Sequence, residues 1–356
     1  MNSKPMFFKK FLFSVIGISS VLIVGLSFLS PDQFSKLGQI DNVFKDPEPV
    51  NSLSGRVGSD GPILVVKIDD TRAAHPQAGL EDADVIYIEQ VEGGLTRLAA
   101  VYSSKIPAVI GPVRSARISD IEILQQFGRV AFAYSGAQKK LLPVIAAANL
   151  ENLGAQRQSR EIYSNDPMRN APTAMMLQAQ TLMQKVKEQQ LPVAISKSVG
   201  WNFADTVDTG TAIASAKVSW PANSYDAVWS AAEKRWLLSH SGVPNLAASG
   251  VHLGASTFVI QIVSITPSEY GDKFGGVTPF TATVGSGPGY ILRDGKYISA
   301  LWNRPTPDVG TVWRTVQGEE IAFAPGQIWI ALTDKEPEFT PIPSKFPADA
   351  PSASAK

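Results

Sequence analysis

The sequence predicts an α/β or α+β N-terminal domain with a mixed sheet, then a mainly β C-terminal domain, behind a single N-terminal transmembrane helix. Three observations predict this. A charge-free apolar run of about nineteen residues covers Phe11 to Leu29. From about residue 62 to 190, short strand-like apolar runs mix with helical patterns. Beyond residue 216 the pattern is alternation and hairpin turns.

At 1.5 Å per residue the apolar run is roughly 28 Å long, close to the thickness of a bilayer core. Lys9 and Lys10 precede it and no lysine follows closely, which puts the N-terminus in the cytoplasm and the bulk outside. A cleaved signal peptide is the competing reading, but the run is longer than a usual signal core and lacks an A-x-A site. Residues 1–30 are thus read as a cytoplasmic stub and anchor. Residues 31–61 are polar and aperiodic and read as a flexible linker.

The N-terminal domain is read over 62–190. Ile63 to Ile68 is a strand ending at Asp69-Asp70. His75 to Leu80 reads as a turn, and Asp84 to Val91 is a second strand with Val85, Tyr87, Glu89 and Val91 on one face. Leu98 to Tyr102 and Val109 to Val113 follow as short apolar strands. Ser119-Asp120-Ile121-Glu122 matches a capping box, so a helix is expected from there. Val130 to Tyr134 is a strand. Gln138 to Ala148 and Thr173 to Gln189 read as helices. Residues 191–215 are a connection, and 216–334 form the β domain.

In that second domain, Tyr225 to Trp229 and Lys234 to Leu238 flank a turn. Ser256 to Ile265 alternates. Asp294-Gly295 between two strands is a strong type I′ hairpin signal. Ile321 to Phe323 and Gln327 to Leu332 read as another hairpin, and the tryptophans here read as core. The tail, 335–356, is rich in Pro, Ser and Ala and reads as disordered.

Composition narrows the function classes. Charged residues are 18%, apolar residues 44%, and the formal net charge is zero. That balance argues against a nucleic-acid-binding surface. With no cysteine there is neither a disulfide nor a cysteine-linked lipid. His75, His240 and His252 lie far apart and show no metal-ligand spacing, so no metal site is expected. No Ser-His-Asp order, P-loop or HExxH is present. No catalytic residue and no cofactor are identified.

One stretch carries chemistry. Gly93-Gly94 lets the chain turn before Thr96-Arg97, and Gly111-Pro112 makes a second corner before Arg114-Ser115-Ala116-Arg117. If the intervening strands are neighbours, Arg97, Arg114 and Arg117 converge beside a helix N-terminus, with Ser115 as a neutral donor. Such a concentration of positive charge needs an anion. Two readings follow: a structural salt-bridge cluster with nearby acids, or a site for phosphate, sulfate or a carboxylated ligand with Glu92 and Asp69 as supporting partners.

VVKIDDTRAAHPQAGLEDADVIYIEQVEGGLTRLAAVY followed by IGPVRSAR resembles the YerB-like family of bacterial envelope proteins, a domain of unknown function. YSGAQ, MRNAP, GSGPGYILRDGKYISALWNR and PGQIWI continue the resemblance over roughly residues 60–335. It implies two domains and an envelope location, and no chemistry. Two features depart from the family: there is no lipoprotein cysteine, and Ala171-Pro172 runs into Thr173-Ala174, not a His-Asn pair. The partners expected are the membrane and an anionic envelope ligand or polymer, or else a protein; nucleic acid is not expected. The alternative to binding is an enzyme acting on a phosphate-containing envelope substrate.

Overall fold

The computed structural model describes residues 48–272 and 275–343. The first part supplies β1 (Leu64–Asp69), β2 (Val85–Gln90), β3 (Thr96–Tyr102), β4 (Val109–Ile110), helix α1 (Ile118–Gln125) and β5 (Val130–Ala133). It continues through α2 (Leu142–Ala147), β6 (Leu150–Asn152), β7 (Tyr163–Asn165), β8 (Met175–Gln178) and α3 (Ala179–Glu188). After residue 210 all described regular elements are strands: β9 (Thr211–Ser219), β10 (Ser224–Ser230), β11 (Arg235–His240), β12 (Val243–Pro244), β13 (Gly254–Ala255) and β14 (Thr257–Ile262). Then come β15 (Ile265–Gly271), β16 (Val277–Thr281), β17 (Gly285–Arg293), β18 (Lys296–Arg304), β19 (Val312–Arg314), β20 (Ile328–Thr333) and β21 (Glu338–Pro341).

One large sheet runs β12-β11-β10-β9-β18-β17-β14-β20-β2-β3-β1-β5-β6. β20 is its hinge of connectivity. All six of its residues are buried, and it lies parallel to both β14 and β2. A strand covered on both faces must be apolar throughout, and IWIALT is nearly so. The segments 62–190 and 216–334 therefore meet in a single sheet. Alternation sorts its residues: Leu64, Val66, Ile68, Ile86 and Ile88 pack in one core, Val65, Val85, Tyr87 and Val101 in the other.

The fold class differs from the expectation. The protein is mainly β, not an α/β or α+β domain followed by a β domain. The helical pattern over Thr173 to Gln189 misled because its first part, Met175 to Gln178, pairs instead with β4 and β7 and buries Leu177 completely. Helix propensity is a weak preference that such tertiary pairing overrides. Gln138 to Ala148 yields only the six-residue α2. No helix among the described residues is long and apolar enough to cross a membrane, so the single transmembrane helix gains no support; residues 11–29 lie outside those described.

Smaller differences have visible causes. The N-cap of α1 is Arg117, two residues before the expected cap, with Asp120 Oδ2 accepting from its backbone N–H at 2.6 Å. Ser119 and Glu122 are used elsewhere, accepting from the backbone N–H groups of Thr281 and of Thr283 and Val284. Ile321 to Phe323 is no hairpin arm; Phe323 bridges Phe203 instead. Within the stretch read as linker, Leu53 is buried and Asn51 donates to Ser103 Oγ at 2.7 Å. Within the stretch read as tail, β21 pairs with β9, and Phe339 stacks on Tyr297 at 4.1 Å.

Trp329 sits fully buried in β20, its indole N–H donating to Gln327 Oε1 at 2.9 Å. Trp329→Ala should cost about 3–5 kcal/mol in urea denaturation, because the cavity opens where β14, β20 and β2 meet.

Candidate functional site

β1 ends in two acids, and consecutive strand residues point to opposite faces. Asp69 pairs in register with Arg97 of β3, which in turn stands opposite Glu89 of β2. These three, with Lys67, share the face that carries Val65, Tyr87 and Val101. Beneath the surface, the Lys67 ammonium donates to Glu89 and, at 2.7 Å, to Asp120 at the start of α1. All three side chains are fully buried. Burial and the neighbouring Asp120 carboxylate push the Glu89 carboxyl up, against the pull of Lys67.

Residues 112–117 cross this end of the sheet as a strap. Asp69 N–H donates to Pro112 O, Arg114 N–H to Lys67 O and Ala116 N–H to Gly136 O. The strap sets Arg114 and Arg117 beside Arg97. Arg114 Nε lies 2.7 Å from Asp69 Oδ2. Arg117 grips Glu92 through Nε at 3.0 Å and Nη2 at 2.7 Å. Thr278 of β16 donates to the other Glu92 oxygen. Glu92 reaches this position through a turn in which Gly93 and Gly94 have φ of 68° and 70°. A Cβ on Gly94 would stand 2.5 Å from Pro221, so both φ and space require glycine there.

Arg97 is different. Nη1 donates to the Ser115 carbonyl at 3.1 Å, and among the described residues no carboxylate lies within ion-pair distance. It is only 7% exposed. Burial, reinforced by Arg117 and Arg114, pushes its guanidinium down to about 10.

Above these groups is a cleft of about 830 Å³. Arg97, Arg114, Ser115 and Arg117 line it, while Asp69 and Glu92 stand behind Arg114 and Arg117 as ion-pair partners. The structure thus brings all six sequence-derived residues together. It adds Lys139 and Lys140, Tyr270 of β15 and the acid Asp272 to the wall. The two lysines directly follow the YSGAQ stretch, a basic pair that the sequence reading passed over. Tyr270 carries no signal, because only the fold of the β15–β16 hairpin brings it here.

The cleft wall presents several cations, and among the described residues Arg97 makes no ion pair. Asp69 and Glu92 are held by arginines, which leaves neither free as a base.

Residues 52–192 match the model for the N-terminal domain of "Protein of unknown function (DUF3048)", and 216–330 match that for its C-terminal domain. The chain belongs to this family. A Bacillus subtilis relative named "Putative lipoprotein YerB" is 35% identical over 83 residues, which are 22% of this chain and 25% of that protein. The match therefore spans a quarter of the relative's length. A crystal structure of the YerB protein from Bacillus subtilis superimposes with a TM-score of 0.70 at 18% identity, covering 81% of this chain and 99% of that one. The two share a fold. The strap and cleft arginines lie within the N-terminal match.

Burial alone would raise the Glu92 carboxyl, but the hydrogen bonds and charge of Arg117, with the Thr278 hydroxyl, hold it below the ordinary glutamate range. A depressed carboxyl stabilises the fold fully above its unfolded value and loses that contribution as pH falls through its folded value. Glu92→Gln should therefore cost roughly 1.5–3 kcal/mol near neutral pH. In denaturation series the gap from wild type should be constant above about pH 5 and close in acid.

Proposed function

We propose that the protein binds an anionic ligand, a phosphate- or carboxylate-bearing envelope molecule or polymer, in the arginine cleft. The observation that carries this reading is Arg97: a buried guanidinium without a carboxylate partner, facing a cleft whose other cations are Arg114, Arg117, Lys139 and Lys140. A buried guanidinium that makes no ion pair is costly to desolvate, and an anion in the cleft would offset that cost. Guanidinium forks suit the oxygens of phosphate and carboxylate. At about 830 Å³ the cleft has room for more than a small ion.

Binding is favoured over group transfer because Asp69 and Glu92, the acids beside the arginines, are engaged by Arg114 and Arg117. We further read the protein as extracytoplasmic and membrane-associated, a reading supported by the lipoprotein name of its relative.

The test is thermal denaturation of the full chain with inorganic phosphate, diphosphate, soluble polyphosphate and citrate. At about one hundred times its Kd a ligand should add about 2.7 kcal/mol of stability. Arg97→Gln, and the pair Arg114→Gln with Arg117→Gln, should abolish the response while the chain stays folded. If no probe stabilises the wild type, the cleft is a structural charge network and the reading fails.

A further inference from the structure

The second acid of β1 points the other way. Asp70 lies on the opposite face of the sheet from Asp69, in the core that holds Ile68 and Ile88. There it meets two histidines from distant parts of the chain. His75 follows the short turn after β1. His240 ends β11, directly opposite Tyr225 of β10. His75 Nε2 lies 3.3 Å from Asp70 Oδ1, and His240 Nε2 lies 3.7 Å from Asp70 Oδ2. The three ligand atoms lie within 4.8 Å of one another. The two imidazoles stack, with centroids 4.6 Å apart and planes at 25°.

The surroundings hold these groups in a ligating posture. Tyr225 Oη donates to Asp70 Oδ1 at 2.8 Å, and the Thr96 hydroxyl donates to Oδ2. A carboxylate has about four lone-pair positions, so each oxygen keeps capacity toward the histidines. His75 Nδ1 lies 3.1 Å from Asn245 Oδ1. In the tautomer that donates Nδ1–H to that oxygen, the Nε2 lone pair faces the carboxylate. This is the outer-shell arrangement that orients metal-bound histidines. Two acceptors 3.3 Å apart repel unless a proton or a cation lies between them. Among the described residues the only other bridge at His75 is Gln77 Nε2, at a long 3.3 Å from both His75 Nε2 and Asp70 Oδ1. Asn223, whose Nδ2 lies 2.9 Å from His240 Nε2, keeps its buried Oδ1 without a partner.

We propose that Asp70, His75 and His240 form a binding site for a divalent transition metal of the Zn²⁺ class. Two imidazoles and one carboxylate, with no thiolate, suit Zn²⁺ and its neighbours in the first transition row, and do not suit Ca²⁺ or Mg²⁺. The 3.3 Å and 3.7 Å separations of the histidines from Asp70 are those of ligand atoms around one ion with bonds of about 2.0–2.2 Å. Three protein ligands leave a fourth position, and Asp70, His75 and His240 all line a cavity of about 450 Å³, together with Thr71, Arg72 and Leu95. A three-ligand site with one open position is the pattern of a zinc that binds water or a further ligand, not of a closed structural zinc. The site stands apart from the arginine cleft, because Asp69 and Asp70 diverge.

The test uses the full chain, stripped with chelator and titrated with Zn²⁺ by calorimetry and with Co²⁺ by visible absorption. One equivalent of Zn²⁺ should bind saturably and raise the Tm. Co²⁺ should show the ligand-field bands of a low-coordinate nitrogen–oxygen site, and Ca²⁺ and Mg²⁺ should do nothing. His75→Ala and His240→Ala should each weaken binding by at least the roughly 10–100-fold that loss of an outer-shell partner costs. Asn245→Leu should fall within that same range. His252→Ala, whose imidazole instead meets the Leu238 carbonyl at 2.8 Å, should leave binding unchanged. Asp70 is fully enclosed, and the His75 and His240 rings line the cavity beside it, so the histidine variants are the primary test. Failure of folded wild type to bind Zn²⁺ or Co²⁺ saturably overturns the site. So does binding that survives His75→Ala and His240→Ala together, and in either case the cluster is a hydrogen-bonded network alone.

Discussion

The pairing of β1 and β2 with β3 is the constraint on which both sites depend. Their register sets Asp69, Arg97 and Glu89 side by side. Because strand side chains alternate, the same register sends the neighbouring Asp70 and Thr96 to the opposite face, where Thr96 donates to Asp70. Two adjacent dipeptides, Asp69-Asp70 and Thr96-Arg97, are thereby divided between two environments. A one-residue slip of β3 would exchange Thr96 and Arg97 between the two faces and part them from Asp70 and Asp69. The slip is opposed by the full burial of both faces, with Leu98 and Ala100 in one core and Ala99 and Val101 in the other.

The arginine cleft rests on a buried charge network. Lys67, Glu89 and Asp120 are removed from water directly under it, one ammonium shared between two carboxylates. Such a network contributes little net stability relative to an apolar core, and its value lies in fixing positions. Asp120 illustrates this. One oxygen holds Lys67 of the sheet, and the other caps the backbone of Arg117 at the start of α1. The strap carrying Arg114 and Arg117 is thus tied both to the sheet and to the helix.

Much of this was legible in the sequence where the signal was local. The strands over 63–68 and 84–91 with their faces, the Asp-Gly hairpin, and the two glycine corners that aim Arg97 and Arg114 all follow from short patterns. What escaped depended on contacts between distant residues. Met175 to Leu177 reads as helix by composition and becomes a strand only because β4 and β7 flank it. β20 pairs with β2, more than two hundred residues earlier, and no hairpin signal announces a parallel strand inserted in mid-sheet. His75 and His240 showed no metal spacing because their approach is made by the sheet alone. Asp70 was visible as a strand-end acid, yet its direction opposite to Asp69 was a consequence of alternation that the sequence reading did not pursue.

The division of the strand-end acids between two faces is tested most directly by a paired titration of Asp69→Asn and Asp70→Asn, each measured for phosphate and for Zn²⁺ affinity. Asp69→Asn releases Arg114 from its counter-charge and should tighten phosphate binding while leaving Zn²⁺ affinity unchanged. Asp70→Asn should lose Zn²⁺ and keep the phosphate affinity of the wild type in the folded chain. If either substitution altered both affinities, or if the two effects were exchanged, the assignment of Asp69 and Asp70 to separate sites would be contradicted.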